Sequence, residues 1–530
     1  MKLWGQGILA LVLWASSLPA AADLIIRAEG ETGYDELGTS VAALADVNGD
    51  GFGDLLAGAP KYDTQGAAYI FFGDSTMDDL YDLRLVGENA GDRFGYSVAS
   101  AGDVNGDGYE DIVVGAYLYD DGTNTDAGAA YIFFGGPSMD NTYDVKMVGE
   151  NAGDHFGATV AGAGDVNGDG YADVIVGADS YDDGTNTSAG AAYIFFGGPS
   201  MDNTYDVKMI GEGAWHLFGF DVASAGDVNG DGYDDVIVGA VYYSTAGNTH
   251  LGAAYIFYGG SSMDNTYDVK VTGENAEDRL GVSVAGAGDV NYDGYDDIIV
   301  GAYGYDDGTQ LEAGAAYVFL GGNPMDNAYD VKMVGETDSS FFGYAVSGAG
   351  YINNDSLADV LIGAYGYDVG ANEDQGAAYV FFGGNPMDAV YEERIVGEAA
   401  GDEFGRSVSG GFNVNQDPYD DLAMGAHLFD DGIATSAGAA YVYKLSGPVS
   451  VTEGTPSASL PGRLTGTNPS ATGIWNVVEV PPGTPYGLYL ASGRRVQEGV
   501  VHGNTLQIRV STRGVYFLRV GSHTWKLIKR

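Results

Sequence analysis

Residues 103 to 111 read DVNGDGYED, and this nine-residue acidic stretch decides the fold because it returns at a fixed interval. Near-identical copies are DVNGDGFGD from Asp46, DVNGDGYAD from Asp165, DVNGDGYDD from Asp227 and DVNYDGYDD from Asp289. Two worn copies complete the series, YINNDSLAD from Tyr351 and NVNQDPYDD from Asn413. Successive starts lie 57 residues apart once and 62 apart thereafter. A constant period of this kind marks one supersecondary unit copied along the chain.

Side-chain oxygens at loop positions 1, 3, 5 and 9, with glycine at 6, suit a hard cation. Calcium takes six to eight oxygen ligands, so a short loop must gather its carboxylates around one point. The expected ligands are Asp46, Asn48, Asp50 and Asp54 in loop one, Asp103, Asn105, Asp107 and Asp111 in loop two, and Asp165, Asn167, Asp169 and Asp173 in loop three. Loop four offers Asp227, Asn229, Asp231 and Asp235, and loop five Asp289, Asn291, Asp293 and Asp297. The carbonyls of Phe52, Tyr109, Tyr171, Tyr233 and Tyr295, at position 7, complete the five sets. Gly108 supplies a left-handed turn that is cheap only for glycine. The alternative is an Asp/Asn/Gly turn without metal. In loop six Tyr351 and Ser356 displace the first ligand and the glycine. In loop seven Asn413 and Pro418 do so, and proline excludes the left-handed turn. Metal is expected in loops one to five and not in loop seven, with loop six undecided.

The residues after each loop separate it from helical calcium motifs. Ile112-Val113-Val114-Gly115 and Val236-Ile237-Val238-Gly239 are short β-branched runs bounded by glycine, which read as buried strands. Each period carries four strands. In the second, these are Tyr96 to Gly102, Glu110 to Ala116, Ala129 to Gly135 and Tyr143 to Gly149. Four antiparallel strands repeated seven times predict an all-β chain, a seven-bladed β-propeller, rather than a linear solenoid. Glycine fills 86 of 530 positions, against a usual ~7%, which suits blades crowding one axis. The seventh unit stops at Leu445 without a fourth strand, and Asp23 to Glu31 has the shape of that missing strand. Pairing the two would close the ring and hide an edge.

Phe-Gly pairs (Phe94-Gly95, Phe156-Gly157, Phe218-Gly219, Phe342-Gly343, Phe404-Gly405) alternate with Gly-Ala-X segments such as Gly58-Ala59-Pro60, Gly115-Ala116-Tyr117 and Gly177-Ala178-Asp179. With the acidic loop between them, residues 23 to 445 resemble the FG-GAP repeats of the integrin α-subunit propeller. Leu37 and Leu280 depart from the pattern by replacing phenylalanine. The resemblance implies structural calcium in the hairpin between a blade's first two strands, opposite the main ligand face, and it implies adhesion. Fold alone does not transfer function.

Residues 1 to 22 carry one lysine, an apolar run from Ile8 to Trp14 and an Ala20-x-Ala22 site, the pattern of a secretory signal peptide cut before Asp23. No later stretch reaches the ~20 apolar residues of a membrane span. There is no cysteine, which excludes a disulfide framework. Residues 446 to 459 read as a linker. From 457 to 530 there are nine Lys/Arg and two Asp/Glu, a balance of +7 in a chain whose total is −53. GLYLASGRRVQEG from Gly487, Asn468-Pro469-Ser470 and the alternating strands to Arg530 resemble a type IX secretion C-terminal sorting domain. That resemblance implies a small β-sandwich over 460 to 530 and engagement of outer-membrane secretion machinery.

An enzyme needs a nucleophile or a proton-transfer pair, and six histidines at unrelated repeat positions provide neither. No catalytic residue is assigned. Tyr119-Asp120-Asp121-Gly122, Tyr181-Asp182-Asp183-Gly184, Tyr305-Asp306-Asp307-Gly308 and Phe429-Asp430-Asp431-Gly432 form a second recurrent loop, read as a copied turn before a ligand patch. The strong negative charge disfavours nucleic acid and anionic lipid. The expected function is calcium-dependent adhesion or binding of an extracellular protein or glycan at the cell surface or in secreted form. A polysaccharide-acting enzyme and a structural surface-layer component are the alternatives.

Overall fold

The computed structural model describes residues 21–446 apart from Asn354, Asp431 and Ile433, together with seven strands of the tail; the expected signal peptide and linker lie outside the described residues. Residues Ala22–Leu445 form one compact unit of seven four-stranded sheets. Six sheets run in simple chain order, as in blade two: Val98–Gly102, Asp111–Ala116, Ala129–Phe133 and Val145–Val148. In the seventh, Ala21–Glu29 lies beside Ala439–Ser446, so the chain's first described strand completes its last blade. The ring closes as its sequence predicts.

Burial explains the strand composition. Every residue of Asp111–Ala116 and Ala129–Phe133 is buried, and β-branched and aromatic side chains fill that space between blades. The innermost strands carry small residues because seven of them converge. A hydroxyl two positions after each Gly of Phe-Gly often bridges to the next blade: Ser40 Oγ accepts Val98 N–H, Ser97 Oγ accepts Val160 N–H and Ser283 Oγ accepts Val346 N–H, each at 3.1 Å. In blade four Asp221 takes that place, accepting Val284 N–H at 2.8 Å.

Phe-Gly and Gly-Ala are two halves of one blade-to-blade joint. Gly157 presses its carbonyl on Gly115 of the preceding blade so closely that a Cβ at Gly115 would stand 2.1 Å from that oxygen. Phe156, buried beside it, meets Tyr193 edge-on at 5.3 Å and Phe195 at 6.1 Å. The glycine permits the approach and the ring seals it.

The tail contains a three-stranded antiparallel sheet (Arg463–Thr465, Ile474–Val478, Thr505–Arg509) and a four-stranded one (Arg495–Val500, Pro485–Leu490, Gly514–Val520, His523–Lys529). These two small sheets are the strand content of a small β-sandwich. The Asn468-Pro469-Ser470 motif lies outside the described residues.

Candidate metal loops and the channel mouth

All seven acidic loops join the first and second strands of their blades, so they share one face of the ring. In loop two Asp103 Oδ1 accepts the N–H groups of Gly106 and Asp107 at 2.7 and 3.0 Å, and Oδ2 accepts Gly108 N–H at 2.8 Å. Asn105 Oδ1 accepts Asp107 N–H at 2.8 Å, and Asp107 Oδ1 accepts Tyr109 N–H at 3.1 Å. Asp111 is fully buried and receives Val104 N–H and Gly135 N–H at 2.9 and 2.8 Å, which ties the loop to the blade's third strand. Loops one and three repeat this pattern.

These carboxylates repel one another. The position-9 residues Asp54, Asp111, Asp173, Asp235 and Asp297 are pushed up to about 7, by burial first; in Asp111 the two N–H bonds pull back and the charges of Asp107 and Asp103 push further. Among the described residues, no Lys or Arg pairs with any carboxylate of loops one to five. In loop five Asn291 Oδ1 is buried without a hydrogen-bond partner. An oxygen-rich, uncompensated, partly orphaned donor set fits a hard cation. Among the described residues, no three acidic or imidazole side chains are drawn together tightly enough to ligate one ion; the carboxylates face their own backbone N–H groups instead.

Loop seven compensates internally. Lys444 Nζ lies 3.4 Å from Asp417 Oδ2, and Asn415 Nδ2 donates to Asp421 at 3.3–3.4 Å. In loop six Asn353 Nδ2 donates to both oxygens of Asp359 at 3.1 Å, while Ser356 keeps the left-handed turn at φ +66°.

Position 4 escaped the sequence reading. Gly49, Gly106, Gly168 and Gly230 are left-handed, and a Cβ on each would stand 2.4–2.6 Å from the ring of Tyr109, Tyr171, Tyr233 or Tyr295 in the next loop. Position 7 thus links neighbouring loops as well as offering a carbonyl. Tyr292 fills position 4 of loop five, and there the next loop has Leu357 instead of tyrosine.

The opposite ends of the same strands carry Phe-Gly and Gly-Ala-X. The residue after Phe-Gly, or its Leu-Gly equivalent, differs around the ring: Thr39, Tyr96, Ala158, Phe220, Val282, Tyr344 and Arg406. The X residue varies likewise, from Tyr117 to Asp179, Tyr365 and His427. Many of these groups cluster about the mouth of a central cavity of about 450 Å³. Tyr96 and Tyr117 pack at 4.5 Å, Tyr344 and Tyr365 at 4.8 Å, and the Arg406 guanidinium lies 4.0 Å from the Tyr344 ring centre. His155 Nδ1 stands 3.5 Å from Asp179, which raises the imidazole's proton affinity. Burial pushes His427 down to about 3. Asp221 in the cavity wall is raised to about 6 by burial, but Thr159, Val222 and Val284 occupy its oxygens as structural donors.

The Tyr-Asp-Asp-Gly loops lie on the mouth's side of the ring but are built as turns. Asp121 Oδ1 accepts Thr123 and Asn124 N–H groups, both at 2.6 Å. The Tyr119 ring is covered by Lys146 Nζ at 3.8 Å, and Lys146 pairs with Glu88 from the preceding unit. Equivalent staples join Lys208, Tyr181 and Glu150, or Lys332, Tyr305 and Glu274. The recurrent YDVK segment was the available signal for them. Asp431 of the last such loop lies outside the described residues.

Seven four-stranded blades, each joined to the next through its Phe-Gly pair or Leu-Gly equivalent, define an FG-GAP propeller, and the FG-GAP repeat family model matches residues 37–71, 94–133, 156–195, 218–257 and 280–319. Over these repeats the chain is integrin-α-like. It is 32% identical to Integrin alpha-5 of Xenopus laevis over 225 residues, 40% of this chain and 21% of that protein. Integrin alpha-V of Gallus gallus is 34% identical over 225 residues, 40% and 20% of the two chains. Integrin alpha-6 of Homo sapiens is 32% identical over 188 residues, 35% and 16%. The chain thus spans about a fifth or less of the length of these relatives. Among the described residues no helix is long and apolar enough to cross a membrane.

Proposed function

We propose that this is an exported, calcium-stabilised propeller that binds an extracellular protein or glycan through its channel mouth and catalyses no reaction. The observation that carries the reading is the contrast within the repeats. Buried and loop positions are copied almost unchanged, whereas positions around the mouth differ from blade to blade and gather aromatic, imidazole, guanidinium and carboxylate groups in one place. Copied positions serve the blade; divergent and clustered ones suit recognition, where aromatic and arginine side chains contribute most. Calcium would be held by the side chains at positions 1, 3, 5 and 9 and the position-7 carbonyl of loops one to five. Its role there is to neutralise facing carboxylates. The tail's likeness to a sorting domain supports delivery through the outer membrane.

The test is a glycan and matrix-protein array probed with the mature chain in millimolar calcium and in EDTA, alongside Tyr117→Ala. Hits lost in EDTA and weakened at least tenfold by Tyr117→Ala, at unchanged thermal midpoint, are expected. Hits indifferent to Tyr117→Ala would move binding elsewhere, and a folded protein with no hits would defeat adhesion to these ligands.

A further inference from the structure

With 75 Asp and Glu against 22 Lys and Arg, a cation in this chain should find a carboxylate with ease. Of the twelve Lys and Arg between residues 23 and 446, ten do so. Among the described residues, the two that make no ion pair are Arg93 and Arg406. Both flank a Phe-Gly pair, Arg93 just before Phe94-Gly95 and Arg406 just after Phe404-Gly405, so both stand at the channel mouth.

The acids at the same mouth are occupied instead. Glu36, before Leu37-Gly38, pairs with Lys61 at 2.5 Å, and Glu403, before Phe404, meets His427 at 3.7 Å. Glu403 is raised by burial first, with the Arg406 charge opposing, yet among the described residues it stays outside ion-pair reach of that guanidinium. Asp179 in the cavity wall has His155 at 3.5 Å and accepts Ser180 Oγ–H at 2.9 Å.

Aromatic rings surround the two free cations. The Arg406 guanidinium lies 5.1 Å from the Tyr365 ring centre as well as over Tyr344, and Phe341 stacks on Tyr365 at 5.1 Å. On the other side stands the Tyr96–Tyr117 pair. Burial raises both of these phenols, and the opposing pull comes from Arg406 on Tyr96 and from Arg93 on Tyr117. A guanidinium laid on a ring keeps its in-plane N–H groups for a planar acceptor such as a carboxylate.

We propose that the channel mouth recognises an acidic glycan, its pyranose rings lying against Tyr96, Tyr117 and Tyr344 and its carboxylates meeting Arg406 and Arg93. This rests on the mouth being the binding face. Tyrosine offers a sugar an apolar face for its C–H groups and a hydroxyl for its hydroxyls, whereas an acidic peptide would call only for the cations.

Ligand-observed NMR on the mature chain in millimolar calcium tests this, with trigalacturonate and a hyaluronan tetrasaccharide as probes. Their methyl esters remove the charge, and hexaglutamate supplies charge without the sugar. Saturable binding of at least one acidic sugar is expected, with its ester, and the acid itself on Arg406→Gln, about tenfold or more weaker. Arg406→Lys should recover only part of the loss, since an ammonium cannot make the two-pronged contact. If Arg406→Gln fails to fold, Arg93→Gln and the esters carry the comparison. No saturable binding of either acid, equal binding of the esters, unchanged affinity in the folded variants, or tighter binding of hexaglutamate would overturn the proposal. Neutral array ligands that depend on Tyr117 and not on Arg406 would overturn it too while keeping the mouth as the binding face; an array without hits would defeat that reading itself.

Discussion

Loop two and loop seven are the same nine-residue hairpin with the charge problem solved in opposite ways. Loop two stacks Asp103, Asp107 and Asp111 around one turn with no cationic side chain among the described residues. Loop seven gives up its first carboxylate and draws Lys444 onto Asp417, while Asn415 donates to Asp421. The backbone plan survives both: Val414 N–H reaches Asp421 at 2.9 Å as Val104 N–H reaches Asp111. The position-9 aspartate is therefore an architectural residue first and a proposed calcium ligand second. The hairpin loses its position-1 carboxylate without losing the blade.

The broadest way to break this comparison is to remove calcium. With affinities of roughly 10⁻⁴–10⁻³ M, five sites in about millimolar calcium add about 2–7 kcal/mol in total. EDTA should lower the denaturation midpoint accordingly, and magnesium should restore little of it. A midpoint indifferent to EDTA would leave loops one to five as plain turns. Asp111→Ala comes next, because it orphans two buried N–H groups and should cost about 2–5 kcal/mol with or without calcium. Asp421→Ala should cost the same, which differential scanning calorimetry in both buffers can read.

Asp221 sharpens a different contrast, between a carboxyl and the hydroxyls that do its job in other blades. Its native pKa is raised from 3.8 to about 6, so the folded state binds the proton more tightly than the unfolded chain. Stability from this group is full below the unfolded value and is lost as pH rises through about 6, at most about 3 kcal/mol. Asp221→Ser, measured in saturating calcium, should remove at most that share of the pH dependence between pH 4 and 7, leaving the part owed to Asp359, Asp421 and Glu392, and stabilise the protein above pH 6. Smaller still, Asp107→Asn should weaken one loop, costing about 0.4–1.4 kcal/mol in calcium and nothing in EDTA. Lys444→Met should cost under about 1 kcal/mol, equally in both buffers, as a partly exposed pair does.

Much of this was legible in the chain because three motifs recur in step. The acidic loop, the Phe-Gly pair and the Gly-Ala segment mark three fixed points of one blade, and the missing fourth strand after Leu445 announced the closure by residues 21–29. What stayed hidden involves partners from different repeats. Glu88 and Lys146 are 58 residues apart, and only the curvature of the ring brings them together over Tyr119. The demand on Gly106 comes from Tyr171 in the following loop, beyond the reach of any local pattern. The channel mouth was hidden for the opposite reason: its residues follow no repeat, and variation carries no signal until the fold shows that it is concentrated in space.

The seam in the seventh sheet has a kinetic consequence. Strand Ala21–Glu29 is made before the propeller's other strands, yet its neighbour Ala439–Ser446 is made some 400 residues later, so the ring stays open until the propeller is almost complete. An open ring exposes a pairing edge until that strand pair forms. The same seam makes the molecule divisible: a propeller lacking residues 21–29 should be a receptor for that peptide, with closure happening between chains.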